Sequence, residues 1–177
     1  MSKAQLATVW LDGCSGCHMS FLDIDERLIT LAELADVVYS PLVDAKQFPE
    51  MVDVTLVEGA VSNEDDYEKI QKVRAHTKIL VSLGDCAVTA NVPGMRNPFK
   101  TEALLERAYI ENAGENQHIP VKVIPPLREM SVPVHHVVKV DVFVPGCPPS
   151  ADTIFYVLTE LLAGREPDLT GKTRFGA

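Results

Sequence analysis

Short runs of continuous apolar residues alternate along this chain with segments of helical periodicity. Strands that are apolar throughout are typical of a parallel sheet covered on both faces, because a sheet with one wet face would alternate apolar and polar residues. Parallel strands need crossover connections, which are right-handed and usually helical. The pattern therefore predicts a three-layer α/β domain with a central parallel sheet. The predicted strands are Ala4–Leu11, Asp36–Tyr39, Val52–Val57, Lys78–Leu83 and Val137–Val144.

Three helices are predicted in the connections and after the last strand. Apolar residues at helical spacing indicate one helix over His18–Leu34. A capping box at Ser62 and Asp65 predicts the start of the second. Ser150 is a candidate cap for the third, which the pattern extends to Leu162.

The segment Asn91–His136 interrupts the alternation of predicted strands and helices. It contains half of the 12 prolines, and within it only Glu102–Glu111, with Thr101 as its cap, has a helical pattern. Long ordered loops in compact domains are usually functional and often form interfaces. A length of 177 residues suits one domain with a substantial core. Residues 1–177 are therefore predicted to form a single domain that carries this irregular excursion.

Charge and hydropathy argue against several classes of protein. The net charge is −9 and the pI is about 5.0, which disfavours binding to the phosphate backbone of nucleic acids. The longest apolar stretches are too short to span a bilayer, and the first residues carry neither a basic region nor an apolar export segment. The protein is therefore expected in the cytoplasm, where thiols remain reduced.

The four cysteines lie in loops that follow predicted strands. Cys14, Cys86 and Cys147 each follow a different strand, and Cys17 comes three residues after Cys14. Loops at the carboxyl ends of parallel strands lie at one edge of the sheet, so three separate segments should bring sulfur to the same place. Glycines in each of these loops permit close approach of the backbone to a bound group. The pattern favours one iron–sulfur cluster held by all four thiolates.

A zinc site, a redox C-x-x-C motif or disulfides would explain the positions of the four cysteines less completely than a cluster does. A structural zinc site is the main alternative, but zinc sites normally use two close cysteine pairs, and Cys86 and Cys147 are single. A redox C-x-x-C motif at Cys14 and Cys17 would leave the other two cysteines unexplained. Disulfides fit poorly with a reducing compartment. Four thiolates suit either a [4Fe–4S] or a [2Fe–2S] cluster, and ligands from three loops favour the cubane.

Four motifs occur in a fixed order: W-L-D-G-C-S-G-C (Trp10–Cys17), V-E-G-A-V (Val57–Val61), G-D-C-A (Gly84–Ala87) and P-G-C-P-P (Pro145–Pro149). Together they resemble the small subunit of [NiFe] hydrogenases, most nearly that of the cytoplasmic, NAD-linked bidirectional type. The resemblance covers nearly the whole chain. A looser likeness exists to the cluster-bearing subunit of respiratory complex I, which has an adjacent cysteine pair where this chain has C-S-G-C.

The resemblance implies a flavodoxin-like domain that holds the [4Fe–4S] cluster proximal to a nickel–iron site in a separate large subunit. Hydrogen oxidation would then take place in the partner, and this chain would be an electron-transfer subunit of an NAD-reducing hydrogenase. No cysteine remains for a second cluster, so electrons are expected to pass to diaphorase subunits that carry further clusters and flavin. The cluster ligands implied are Cys14, Cys17, Cys86 and Cys147.

Two other functions stay open at this point. One is a complex I–like, quinone-linked iron–sulfur subunit, and the other is a zinc-stabilised assembly subunit without redox activity. An FMN site, which flavodoxin-like folds can offer, is disfavoured. The loop after the first strand carries cysteines and has no hydroxyl-rich phosphate cradle beyond Ser15 and Ser20.

Five further residues near the predicted site have expected roles. Glu58, at the end of a strand, could bond a loop N–H near the cluster or line a proton route. Asp12 stands where many membrane-bound or periplasmic relatives have glutamate, which weakens the case for a proton-path role. Asp85 is expected as a solvated loop charge. Trp10 is expected as a core residue, with contact to the partner as the alternative. His18 is expected to cap a helix or face solvent.

Overall fold

The structure, a computed structural model, describes residues 3–176 and contains two β-sheets. Five strands form a parallel sheet in the order β2-β1-β3-β5-β7, and β4 pairs with β6 in antiparallel fashion. The strands are β1 (Ala4–Trp10), β2 (Ala35–Tyr39), β3 (Val52–Glu58), β4 (Val61–Asn63), β5 (Thr77–Leu83), β6 (Leu127–Val132) and β7 (Val142–Val144). The main sheet has the flavodoxin-like strand order, which reverses between β1 and β3.

Helices cover both faces of the main sheet, as predicted. The helices are α1 (Gly16–Leu22), α2 (Arg27–Leu34), α3 (Glu64–Ala75), α4 (Asp85–Thr89), α5 (Asn91–Gly94), α6 (Thr101–Glu106) and α7 (Ala151–Leu162). Neighbouring strand residues such as Leu56 and Val57 are both buried, the first in an apolar cluster with α1, α2 and α7, the second in a cluster with α3 and α4. This two-sided burial explains why the strands are mostly apolar. The predicted three-layer α/β architecture is confirmed.

The helix predicted over His18–Leu34 is interrupted, so α1 and α2 are separate. Asp25 has φ 55°, a left-handed conformation that cannot continue a right-handed helix. The turn nevertheless keeps Ile24 in the core, where its side chain is 1% exposed. The apolar spacing therefore predicted the buried face correctly, but the prediction of one continuous helix was wrong.

The start of α3 and the end of the sheet also differ from prediction. Asn63 caps α3, since its Oδ1 accepts the Asp66 N–H at 2.8 Å, while Ser62 lies in β4. The last strand is only Val142–Val144. Just before it, the Asp141 side chain accepts the Leu80 N–H at 2.9 Å, a hydrogen bond that a backbone carbonyl would accept if the strand continued. By contrast, Ser150 caps α7 as predicted, accepting the Thr153 N–H at 3.2 Å.

The Pro-rich excursion is more regular than predicted. Its helix begins at Thr101 and continues as a π-helical turn over Arg107–Glu111, but the Thr101 side chain does not cap it. The segment also contributes α5 and the unpredicted strand β6, which pairs with β4. The excursion is thus anchored to the rest of the fold.

Among residues 3–176 no helix is long and apolar enough to cross a membrane.

Candidate metal centre

The carboxyl-end edge of the main sheet brings the cysteine-bearing loops together. Cys14 lies in the loop between β1 and α1, Cys86 in α4 directly after β5, and Cys147 in the loop after β7. Cys17 is on α1, and a Cβ built on Gly84 would overlap its Sγ, so the β5 loop packs directly on this sulfur. All four cysteines are free thiols. The predicted ligands therefore share one edge, next to the point where the strand order reverses.

Burial and charge couple the thiols. Burial raises the pKa of Cys17 well above its usual range, and negative charge on Glu58 and on the other three cysteines raises it further. The pKa of Cys86 is also raised, first by burial, although a Val92 N–H bond opposes the shift. Cys14 and Cys147 are exposed. Thiols that disfavour each other's anionic form suit a cationic iron–sulfur core, because metal binding supplies the compensating positive charge.

Two glycines make room for the site. Gly84 has φ +83° and faces the Cys17 sulfur, so any side chain there would be both strained and obstructed. Gly146, immediately before Cys147, has φ +145°, and a Cβ on it would lie 2.7 Å from backbone atoms of Pro149. The ligand loops after β5 and β7 therefore depend on backbone shapes that favour glycine.

Two further N–H groups, besides that of Val92, donate to cysteine sulfur. The backbone N–H of Gly16 lies 3.4 Å from Sγ of Cys14, and Nδ2 of Asn91 lies 3.7 Å from Sγ of Cys147. Donors of this kind stabilise negative charge on a ligand thiolate and tune the potential of a cluster. Asn91 was not recognised from the sequence, since no motif links it to a cysteine 56 residues later.

A buried hydrogen-bonded chain leads away from the site. Oε2 of Glu58 accepts the backbone N–H of His18 at 2.9 Å and lies 2.5 Å from Nδ1 of its ring. Nε2 of His18 lies 3.0 Å from Oγ1 of Thr8, which donates to Oγ of Ser40 at 2.7 Å. Glu58 accepts an N–H beside the site, but this N–H belongs to the first turn of α1, not to a loop as expected. The expectation that His18 faces solvent or caps a helix is wrong, since it is 6% exposed and its ring bonds within the core.

Asp85 is buried, contrary to expectation, at 4% exposure. Its Oδ1 accepts the Gly146 N–H at 2.7 Å, and its Oδ2 accepts the Gly176 N–H at 2.7 Å. The backbone N–H of Asp85 donates to the Gly146 carbonyl at 2.8 Å in return. This carboxylate therefore ties the Cys86 helix to the Cys147 loop and to the C-terminal segment.

Trp10 is also placed differently from the prediction, because its side chain is 45% exposed rather than in the core. Its Nε1 donates to the carbonyl of Gly13 at 3.3 Å, which places the indole against the Cys14 loop. Asp12 is exposed. Its backbone N–H donates to the Ala60 carbonyl at 3.1 Å, and its own carbonyl accepts the Ala60 N–H at 2.7 Å.

No three His, Cys, Asp or Glu side chains within residues 3–176 are grouped closely enough to bind a single metal ion. Iron–sulfur cores are bound by cysteine thiolates. The chemistry of the donor set, four thiols from three loops, fits such a core.

Comparisons with known proteins show the family to which this chain belongs. The family model described as NADH ubiquinone oxidoreductase, 20 Kd subunit, matches residues 14–161. The delta subunit of the NAD-reducing hydrogenase HoxS from Cupriavidus necator is 44% identical over 172 residues, covering 94% of this chain and 82% of that protein.

A solved structure and a more distant relative are also similar to this chain. A chain of an NAD⁺-reducing [NiFe]-hydrogenase crystallised in the H₂-reduced state superimposes with a TM-score of 0.94 at 39% identity, covering 98% of this chain and 99% of that one. The iron-sulfur subunit of the F420-non-reducing hydrogenase from Archaeoglobus profundus is 31% identical over 92% of this chain, which spans 57% of that relative's length. The chain therefore belongs to the NADH ubiquinone oxidoreductase 20 kDa subunit family and, within it, to the hydrogenase small subunits.

Proposed function

We propose that Cys14, Cys17, Cys86 and Cys147 together bind one [4Fe–4S] cluster, through which this chain passes electrons in a hydrogenase. The observation that carries the proposal is the convergence of four free thiols from three separate loops at the carboxyl-end edge of one parallel sheet. When bound, such a cluster accepts and releases one electron at a time.

The chain's own residues would fix and insulate this cluster. Asp85 holds the Cys86 helix and the Cys147 loop together, which limits movement of two ligands when the charge of the site changes. Glu58 holds the start of α1 through the His18 N–H, beside Cys17. Asn91 would donate to the Cys147 thiolate and favour the more negative, reduced state. We further propose that residues 1–177 act as one domain, because both apolar clusters pack on the same sheet.

We place the electron donor in a larger subunit that contains the nickel–iron site. Cys14 and Cys147 are exposed in the isolated chain, so a partner must exclude water and oxygen from the cluster. Large apolar side chains are exposed on the segment that follows Cys86, with Val92 60%, Met95 72% and Phe99 59% accessible. Exposed Met and aromatic residues are typical of interface cores. This apolar segment would form part of a permanent interface with the large subunit.

We place the electron acceptor in an NAD-linked diaphorase module, because the relative from Cupriavidus necator and the superimposed structure both carry NAD reduction in their names. The family description leaves a quinone-linked subunit as a second candidate. The spacing of Cys14 and Cys17 speaks against it, since the complex I–like pattern has adjacent cysteines.

Anaerobic affinity purification of the tagged chain, followed by metal and sulfide analysis of the complex, tests this function. The expected complex contains iron, sulfide and nickel, and it reduces a viologen dye with hydrogen. NAD reduction should require the further subunits. A complex with sulfide but no nickel would support the quinone-linked candidate, and a zinc-bound, iron-free chain would contradict any redox role.

A further inference from the structure

A small cavity opens beside the cluster-ligand loop, at the carboxyl ends of β1 and β2. Its volume is about 270 Å³, and its wall includes Trp10, Tyr39, Ser40, Lys46 and Lys69. Ser40 is the last member of the buried hydrogen-bonded chain that begins at Glu58. The cavity therefore adjoins the site without containing any of its thiols.

The charge of this cavity differs from that of the chain as a whole. The chain has a net charge of −9, yet no Asp or Glu lines the cavity, while two lysines do. Within residues 3–176 neither Lys46 nor Lys69 has an ion-pair or hydrogen-bond partner. An adjoining cavity of about 390 Å³ shares both lysines and adds Lys72, but Asp65 and Glu68 also line it. Lys69 also lies close enough to Asp66 to oppose the rise in the pKa of that carboxyl. The positive charge is therefore partly balanced on the side of the adjoining cavity, and among the described residues that line the cavity beside Trp10 only the two lysines are charged.

The position of Trp10 connects this cationic cavity to the ligand loop. The indole forms part of the cavity wall, is 45% exposed, and donates to Gly13, the residue before Cys14. The exposed apolar segment Val92–Phe99 follows β5, which β3 separates from β1 in the sheet order. The edge therefore presents two surfaces of different chemistry, one apolar and one cationic with an aromatic centre.

We propose that the cationic cavity is the docking site for an acidic segment of the protein that takes electrons from this chain. The inference rests on the proposed function, because a relay needs a separate surface for its acceptor. Carboxylates of the acceptor would pair with Lys46 and Lys69 and bring its own iron–sulfur centre close to Trp10. Each transfer oxidises the cluster by one electron and reduces the acceptor's centre by one, and no bond is broken. Complementary charge of this kind sets the rate and specificity of encounter more than the final affinity.

Carbodiimide cross-linking and acetylation of the anaerobic native complex test this docking site. Carbodiimide joins a lysine amine to a touching carboxylate, so Lys46 or Lys69 should be linked to an acidic peptide of an iron–sulfur subunit other than the nickel–iron subunit. Acetic anhydride should label both lysines more slowly than the exposed control Lys122. Equal labelling of all three, or links to the nickel–iron subunit or to a second copy of the chain, would overturn the proposal.

Reversing the charge of the two cavity lysines in the complex tests the docking site through the rate of electron transfer. The K46E/K69E double variant should lower electron transfer to the acceptor subunit about tenfold at low salt and leave hydrogen-dependent viologen reduction unchanged. The K78E/K139E variant makes the same charge change at the amino-end edge of the sheet, away from both proposed surfaces, and should leave both rates unchanged. An equal loss in the two double variants, or no loss in either, would contradict the docking site. Absence of nickel or of viologen reduction in the unmodified complex would instead refute the proposed function.

Discussion

Oε2 of Glu58 lies 2.5 Å from Nδ1 and 2.9 Å from the backbone N of His18, in a pair that is almost fully buried. This contact holds β3 to the start of α1, immediately after Cys17. The Glu58 carboxylate, at the end of an apolar strand, therefore has a structural role beside the candidate metal centre.

Replacing Glu58 with Ala should destabilise the chain and weaken retention of the cluster. The His18 N–H would lose its acceptor in a dry environment, which costs about 1–3 kcal/mol. Denaturation midpoints and iron content of the purified complex measure the two effects. Glu166 is exposed and serves as the control, so E166A should match the unmodified protein. An unchanged midpoint and iron content in E58A would contradict the role assigned to the carboxylate.

Gly84→Ala should abolish cluster binding, because the added Cβ would overlap Sγ of Cys17. Gly84 combines φ +83° with ψ 160°, a region that is essentially restricted to glycine, so the added strain of about 1–3 kcal/mol acts together with the collision. Gly164→Ala is the control for a positive-φ glycine with open space, since its φ is +72° and nothing lies within 4 Å of an added Cβ. Iron and sulfide content should fall in G84A alone, and an unchanged content in G84A would contradict the predicted collision with Cys17.

Asn91→Ala should lower the reduction potential of the cluster. The Nδ2 group lies 3.7 Å from the Cys147 sulfur, and removing a donor destabilises the more negative, reduced state. A net hydrogen bond of about 1 kcal/mol corresponds to roughly 40 mV for a one-electron couple. A redox titration followed by EPR measures the shift, with the exposed Asn112→Ala as the control. A potential that does not change, or one that rises, would show that the contact has no tuning role.

Cys86→Ala and Cys147→Ala should each remove the cluster and destabilise the fold, since each residue is the single thiol of its loop and metal binding is coupled to folding. The absorbance at about 400 nm that is typical of such clusters should be lost together with iron and sulfide. Thr89→Ala truncates another side chain of α4 and should retain the cluster. Either cysteine variant with a full iron and sulfide complement would exclude that cysteine as a ligand.

Strand positions and the ligand edge were predictable because they depend on local patterns. The predicted strand Val52–Val57 lies within one residue of the observed β3, Val52–Glu58, since its Val and Leu side chains are buried on both faces even though Asp53 and Thr55 are polar. The common edge of the cysteine loops then follows from parallel pairing alone. Glycines before Asp85 and Cys147 were further local signs of loops shaped around a bound group.

Features that depend on distant contacts were not predictable. Asp85 is buried because Gly146 and Gly176, 61 and 91 residues away, supply N–H donors to its carboxylate. Trp10 is exposed because its Nε1 bonds to Gly13 beside the cavity, although an aromatic residue at the end of an apolar strand resembles a core residue. The last strand was overestimated because Asp141 bonds Leu80 through its side chain. For Asp85 and for the last strand the deciding partner is remote in sequence, whereas the Gly13 partner of Trp10 is only three residues away.

EPR of the anaerobic complex under hydrogen tests the central claim most directly, when combined with iron, sulfide and zinc analysis of this chain. We expect about four irons and four sulfides per chain and no zinc. We also expect that hydrogen alone generates the signal of one reduced [4Fe–4S] cluster, and that this signal is missing from the Cys147→Ala complex. A colourless, zinc-bound chain, or an iron–sulfur signal that hydrogen does not generate, would contradict the cluster and its place in the relay.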